Sequence, residues 1–198
     1  MLKPLLIASG NTHKVREIAE LLNGVPWQIV DLSAYPPVPA PVEDGLTFEE
    51  NAHLKAEYYA RALNVPCVAD DSGIVVDALD GAPGVFSARF AGEGCTDDDN
   101  NVKLLGLLKD VPDEARTARF VCCSVFVDLE GNTHAARGTV EGRIDYTPRG
   151  QNGFGYDPLF IPVGYQQSFG ELDASIKARI SHRSRAFTQM RDFLAARP

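Results

Sequence analysis

The sequence has few of the features expected of membrane or nucleic-acid-binding proteins. No apolar run approaches the roughly 20 residues that a helix needs to span a bilayer. The 198 residues include 19 Lys and Arg against 27 Asp and Glu, which gives a formal net charge of −8. This charge argues against broad binding to nucleic-acid phosphates or anionic membranes, which requires a basic face. It is compatible with a small basic pocket for one nucleotide.

Cysteine is also scarce. Cys67, Cys95, Cys122 and Cys123 have neither the spacing of metal ligands nor that of a disulfide framework. Three of them lie in apolar, strand-like runs, where cysteine usually behaves as a small buried hydrophobic residue. The N-terminal apolar stretch is too short for a signal peptide and continues into a charged helical segment. We therefore expect a cytoplasmic protein.

The remaining pattern predicts an α/β fold. Short apolar runs that are typical of buried strands alternate with segments whose apolar residues recur at helical spacing. The longest predicted strands cover residues 118–129 and 133–144, and the first is apolar on both faces, which favours a central position. No repeat, low-complexity tract or linker divides the chain. We therefore expect one domain over residues 1–198.

Two adjacent carboxylates, Asp70 and Asp71, lie between the apolar runs 65–69 and 74–76. These runs predict an incoming and an outgoing strand with a tight turn at Gly73. Neighbouring carboxylates repel each other, and a cation would relieve this repulsion. Mg²⁺ suits the position because it prefers oxygen ligands and completes its coordination with water and substrate phosphates. A solvated turn is the alternative, because Asp, Ser and Gly are common turn residues.

The segment Ser9–Lys14 connects the first predicted strand to a helix. Its hydroxyls, backbone N–H groups and lysine would lie at a helix N-terminus, where an anion is favoured. The P-loop pattern is absent, and an ordinary strand-to-helix turn is the alternative. A capping box of Thr47 and Glu50 begins the next helix, on which Asn51 and Lys55 share one face.

The segment 149–160, called the aromatic loop below, contains three glycines beside Phe154 and Tyr156. This composition is typical of a loop that approaches something flat or tight. Lys177, His182 and Arg183 follow it, ahead of the last predicted helix. Cations, carboxylates and aromatic rings are together the groups that bind a metal-bound polyphosphate with a flat base.

Taken together, these motifs resemble the inosine triphosphatase family, the non-standard purine NTP pyrophosphatases (dITP/XTP pyrophosphatases). They occur in the family's order and span almost the whole chain. One departure is Asn152, where many members have glycine. The matching motifs are residues 9–14, Glu43 with 45–48, and residues 50–56, 69–73, 81–90, 153–158 and 180–183.

The resemblance implies an elongated α/β fold with two lobes around a long central mixed β-sheet and a nucleotide cleft between the lobes. It implies Mg²⁺-dependent hydrolysis of ITP, dITP and XTP to the monophosphate and pyrophosphate, by a homodimer that cleanses the nucleotide pool. On this basis Glu43 and Asp71 would hold Mg²⁺, with Asp70 as a further ligand or an orienting residue. Asp71, or a water that it holds, would act as general base.

The resemblance also implies which residues bind the substrate. Donors aimed at the C6 oxo group of inosine or xanthine would reject the adenine amine, whereas rejection of GTP needs a contact at C2. The implied phosphate-binding residues are Ser9, Gly10, Asn11, Thr12, His13, Lys14, Lys55, Ser72 and Lys177. The implied base-binding residues are Phe154, Gly155, Tyr156, Asp157, His182 and Arg183.

Three other functions compete with this interpretation. A related pyrophosphatase could select modified pyrimidine or methylated nucleotides, and a substrate panel would separate the two. A non-catalytic nucleotide sensor is a second rival, against which the paired carboxylates argue, because a binding protein gains little from two of them beside phosphates. A purely structural domain would leave the phosphate-binding motifs unexplained.

Overall fold

The computed structural model describes residues 2–197. Within them six strands form one mixed β-sheet, accompanied by five α-helices. The strands are β1 (Lys3–Ile7), β2 (Trp27–Asp31), β3 (Cys67–Val76), β4 (Thr117–Val127), β5 (Thr133–Ile144) and β6 (Phe160–Pro162). The helices are α1 (Thr12–Leu21), α2 (Phe48–Leu63), α3 (Asp97–Leu107), α4 (Ala174–Ile180) and α5 (His182–Ala195).

The strand order in the sheet is β2-β1-β3-β4-β5-β6. β1 pairs in parallel with both β2 and β3, whereas β5 and β6 are antiparallel. β4 lies between β3 and β5, and most of its residues are buried. The predicted α/β fold and the central position of this strand are confirmed. The short strand β6 was not predicted, because three residues are too few for a periodic pattern.

The chain groups into two compact units. The first unit contains the chain up to Asp71, the segment Cys122–Gly138 and the chain from Arg183 onward. The second contains Ser72–Val121 and Thr139–His182. The single domain over residues 1–198 and the cleft between two lobes stay predictions. No helix within residues 2–197 is long and apolar enough to cross a membrane.

In the first unit two apolar clusters accompany the strands. One combines strand residues with α1 and α5, and the other combines strand residues with α2. Ile18 of α1 is fully buried in the first cluster, as are Phe187 and Met190 of α5. These are the helix faces that the sequence periodicity predicts. The capping box of α2 is also confirmed, because Thr47 and Glu50 each accept a backbone N–H of the other.

The second unit has its own aromatic core. Phe120 of β4 contacts Phe160 of β6 edge-on, with ring centroids 4.7 Å apart, and Phe169 packs against both rings. Leu104 of α3 is fully buried in the same cluster. This core places α3, the aromatic loop and α4 in one unit.

Candidate active site

The two adjacent aspartates lie within one continuous strand, and the predicted turn at Gly73 is wrong. β3 runs from Cys67 to Val76 without a break. A side chain at Gly73 has no space, because a Cβ atom there would lie 2.2 Å from Ser87 Oγ and 2.7 Å from Gly84 O. The glycine is therefore explained by close approach of another segment rather than by a turn.

Successive residues of a strand face opposite sides of the sheet. Val68 joins the apolar cluster that contains α1 and α5, whereas Ala69 joins the cluster that contains α2. Asp70 and Asp71 continue this alternation, and each meets cations from the helices on its own side. The repulsion expected between neighbouring carboxylates is thus reduced by opposite orientation and by a different nearest cation for each.

Asp70 is buried between a lysine and an arginine. Its Oδ2 lies 3.2 Å from Lys14 Nζ and 3.6 Å from Arg183 Nε, and Arg183 also pairs with Glu17. Burial opposes ionisation, but Lys14, Arg183 and Lys55 together hold the pKa of Asp70 well below its usual range. Its other oxygen, Oδ1, is buried without a hydrogen-bond partner among residues 2–197. This oxygen is an acceptor that a water or a ligand can use.

Asp71 shares a lysine with Glu43. Lys55 Nζ lies 2.8 Å from Glu43 Oε2 and 3.3 Å from Asp71 Oδ1. Burial raises the pKa of Asp71 even though Lys55 and Lys14 oppose the shift. Burial also disfavours the Lys55 ammonium, but the attraction of Asp71, Asp70 and Glu43 prevails, so the pKa of Lys55 is raised. A carboxylate with a raised pKa accepts a proton more readily, which suits a general base.

The fit of these acids to a magnesium ion rests on two residues. No group of three or more Asp, Glu, His or Cys residues within the described chain is arranged to hold a metal ion. Glu43 and Asp71 do converge, because both carboxylates reach the Lys55 ammonium. Mg²⁺ is often held by only one or two carboxylates together with water and substrate phosphates, so this pair fits it. A direct bond from Asp70 stays a prediction.

The segment Ser9–Lys14 forms the predicted junction between β1 and α1. Asn11 caps the helix, and its Oδ1 accepts the backbone N–H groups of His13 at 2.9 Å and Lys14 at 3.1 Å. The Asn11 N–H donates to Ser9 Oγ. Gly10, Thr12 and His13 are exposed to solvent. Two of the amides expected to bind an anion, those of His13 and Lys14, are thus engaged by Asn11, and phosphate binding here stays a prediction.

In the second unit Asp157 organises the aromatic loop. Its Oδ2 accepts the Phe154 N–H at 2.8 Å and pairs with Lys177 Nζ at 2.6 Å. The same ammonium lies 4.9 Å from the centre of the Phe154 ring, a cation–π geometry. A Cβ atom at Gly153 would lie 2.0 Å from Asp157 Oδ2, so this position admits only glycine. The structure therefore brings Gly153, Phe154 and Asp157 of the aromatic loop together with Lys177 in one contact group.

The other predicted residues divide between the units. His182 stacks on Phe120, with ring centroids 4.8 Å apart and an angle of 12° between the rings, within the second unit. Ser72 belongs to the same unit and is half-buried. Arg183 belongs to the first unit, where it is buried against Asp70 and Glu17. Its role in base binding stays a prediction.

Four residues in these contact groups are absent from the predicted site. Asn51 donates to Asp71 Oδ2 at 3.3 Å and accepts the Gly45 N–H at 2.8 Å. Ser87 Oγ accepts the Ile74 N–H, and Ser87 O accepts the Tyr156 hydroxyl at 2.8 Å. The other two, Asp97 and Asn101, bond to the aromatic loop. The signal for Asn51 was its position four residues before Lys55, and Ser87 lies within the motif at 81–90.

Several known proteins match nearly the whole chain. The dITP/XTP pyrophosphatase of Geobacter sulfurreducens is 46% identical over 190 residues, which cover 96% of each chain. That of Desulforamulus reducens is 47% identical over 190 residues, covering 96% of this chain and 94% of that one. The structure of a HAM1 protein from Coxiella burnetii superposes with a TM-score of 0.91 at 38% identity, covering 98% of this chain and all of that one. The Ham1 protein of Staphylococcus aureus gives a TM-score of 0.89 at 38% identity, with coverage of 99% and 100%.

These similarities confirm the resemblance drawn from the motifs and the α/β fold. The model of the Ham1 family matches residues 5–193, which include all the motifs from Ser9 to Arg183. The chain belongs to the Ham1 family.

Proposed function

We propose that the protein is a nucleoside triphosphate pyrophosphohydrolase that hydrolyses ITP, dITP and XTP to the nucleoside monophosphate and pyrophosphate. Relatives named dITP/XTP pyrophosphatases, 46–47% identical over nearly their full length, support this reaction. The structural observation that carries the proposal is the convergence of Glu43 and Asp71 on Lys55 Nζ. A buried and a half-buried carboxylate beside a lysine are suited to a phosphate-bearing substrate that requires a cation.

In this proposal Asp71 is the general base. It takes a proton from water as the water oxygen attacks the α-phosphorus. The bond from that phosphorus to the α–β bridging oxygen breaks, and pyrophosphate leaves with the bonding electrons. Mg²⁺ held by Glu43 and Asp71, with Asp70 as a further ligand or an orienting residue, would supply charge stabilisation for the leaving pyrophosphate. Lys14 and Lys55 would stabilise the negative charge that develops on the phosphate oxygens.

The remaining predicted residues are proposed to bind the substrate. Ser9 to Lys14, Ser72 and Lys177 contact the triphosphate, and Phe154 to Asp157, His182 and Arg183 contact the base. Support for a base-binding role comes from the aromatic loop, whose backbone is held by Asp157. Donors aimed at the C6 oxo group would exclude ATP, because its amine would then face a donor.

The proposal extends to the setting of the reaction. We propose a cytoplasmic homodimer that removes non-standard purines from the nucleotide pool, as the family resemblance implies. Light scattering coupled to size-exclusion chromatography would give the oligomeric state. A mass near twice 21.5 kDa would support the dimer, and a monomeric mass would contradict it.

The first experiment is a substrate panel with Mg²⁺. Pyrophosphate release is measured for ITP, XTP, dITP, GTP and ATP under matched conditions, with and without a chelator. Strong release from the first three and little from GTP or ATP would support both reaction and selectivity. Release of single phosphates, or no release from any of the five, would contradict the proposal.

A further inference from the structure

We infer that Asp97 and Asn101 of α3, called the α3 pair below, are positioning residues that hold the aromatic loop in its base-binding shape. This inference rests on the proposed function, because it concerns the loop assigned to the base. Both residues lie in the second unit, together with the loop and Ser87. Neither of them belongs to the predicted site.

The α3 pair binds both backbone polar groups of a single residue. The Gly155 N–H donates to Asp97 Oδ2 at 2.7 Å, and Asn101 Nδ2 donates to the Gly155 carbonyl oxygen at 3.0 Å. Residues four apart lie on the same face of a helix, so the two side chains reach one peptide segment together. Such a pair fixes both the position and the orientation of the Gly155 backbone.

Gly155 is a position at which hydrogen bonds from α3 can restrain the conformation of the aromatic loop. Its φ of +62° lies in the left-handed region, and no atom lies within 4 Å of an added Cβ, so conformation rather than space explains the glycine. Its neighbours are held separately, since the Phe154 N–H binds Asp157 and the Tyr156 hydroxyl binds Ser87 O. Movement at Gly155 would change the direction in which the two flanking rings leave the backbone.

Helix capping does not account for the α3 pair. Thr96 and Asp99 already form a reciprocal capping box at this N-terminus. Asn101 is only 5% exposed, and its Oδ1 is buried without a hydrogen-bond partner among residues 2–197. An unpaired buried oxygen costs stability that an apolar residue would avoid. Its bond to Gly155 gives a reason for an amide at this position.

The expected consequence is a change in substrate binding rather than in chemistry. A typical hydrogen bond affects affinity about three- to tenfold, so Asp97→Ala or Asn101→Ala should raise the KM for ITP by about that factor. The kcat should stay within about twofold, because neither substitution changes the proposed general base or the proposed metal ligands. Asn101→Asp should be at least as harmful as Asn101→Ala, because it places an acceptor against the Gly155 carbonyl.

The experiment uses a conservative variant and a matched control. Asp97→Asn keeps an oxygen that accepts the Gly155 N–H, so it should restore a KM close to that of the unsubstituted protein. Asp98→Ala removes the same charge from the same helical turn, but no hydrogen bond joins Asp98 to the loop within the described residues. Kinetics with ITP are combined with hydrogen–deuterium exchange at residues 153–157 in nucleotide-free protein. Faster exchange in Asp97→Ala than in Asp98→Ala is expected.

The two readouts separate this inference from the proposed function. If the unsubstituted protein releases no pyrophosphate from ITP, the proposed function fails, and exchange alone then decides whether the α3 pair holds the loop. If turnover is present but Asp97→Ala and Asp98→Ala have the same KM and exchange, the inference is overturned while the proposed function stands. Failure of Asp97→Asn to improve on Asp97→Ala would also overturn it.

Discussion

The two units hold their buried charges in different ways. In the first unit Asp70 lies between two cations, Lys14 and Arg183, and Lys55 is shared between Asp71 and Glu43. In the second unit Asp157 pairs with Lys177 at 2.6 Å, and the same carboxylate also holds the loop backbone. Where charged groups share partners in this way, one ion pair can break while the group keeps another contact. The first arrangement therefore suits reaction chemistry, and the second suits a fixed binding shape.

The largest effect should come from Asp71→Asn. The amide keeps the shape of the side chain but cannot act as a base, so kcat for ITP should fall by about 10² to 10⁴. The melting temperature should change little, because the substitution removes a charge that burial disfavours. Pyrophosphate release and thermal unfolding measure the two effects. Turnover near that of the unsubstituted protein would contradict the assignment of the base.

Asp70→Asn is the matched substitution one residue earlier and should act on stability. It leaves the buried Arg183 and the half-buried Lys14 without their shared carboxylate, and breaking a buried pair in this way costs about 3–5 kcal/mol. Urea unfolding at neutral pH should show this loss as a lower midpoint. An unchanged midpoint would mean that the charges of Lys14 and Arg183 are compensated in another way.

Gly153→Ala should disturb the ion pair of Asp157 and Lys177 in the second unit. Gly153 and Gly164 have φ values of +78° and +87°, so an alanine at either position carries a similar backbone cost of about 1–2 kcal/mol. Only the alanine at 153 would strike Asp157, since nothing lies within 4 Å of a Cβ at 164. The KM for ITP should rise about tenfold in Gly153→Ala, or about 1.4 kcal/mol. An equal rise in Gly164→Ala would show that the clash is unimportant.

The smallest effect concerns thiol reactivity in the folded protein. Cys67, Cys122 and Cys123 are buried in the first unit, and burial raises the pKa of Cys123 to about 11. Only about 0.1% of that thiol is ionised at pH 8, and the thiolate is the reactive form. Iodoacetamide at pH 8 should therefore label Cys95, which is partly exposed in the second unit, and label all four only after unfolding. Mass spectrometry of native and urea-treated protein gives the counts. Rapid native labelling of Cys123 would contradict its burial.

Local patterns predicted most of the fold because helices and long strands carry their own periodicity. The predicted strand 133–144 coincides with β5, and the Thr47 capping box begins α2 as expected. A second capping pattern in the sequence, Ser168 with Glu171 three residues later, was less informative. Ser168 and Glu171 do exchange hydrogen bonds, but the helix begins only at Ala174, after Asp173. A capping pattern therefore indicates local hydrogen bonding and does not guarantee a helix.

The features that the sequence patterns did not predict depend on contacts between residues that are distant in sequence. Gly73 was interpreted as a turn residue because its need for space arises from Ser87, which the sequence does not place nearby. Asp70 and Asp71 were singled out because two adjacent acids between apolar runs are locally unusual. The acidic run Asp97–Asp99 is typical of the first turn of a helix, so Asp97 carries no local signal of its bond to Gly155, 58 positions later.

Because β3 is continuous, inserting a residue in it should affect Asp70 and Asp71 differently from substituting one. One residue inserted ahead of Asp70 would reverse the sides that both acids face, because side-chain direction alternates at every position. Asp70 would then face α2 and Asp71 would face α1 and α5, so each would exchange its set of cations although no existing residue is replaced. A single substitution in β3 leaves this assignment intact. The site therefore depends on the register of the ten-residue strand Cys67–Val76 as well as on the identity of its residues.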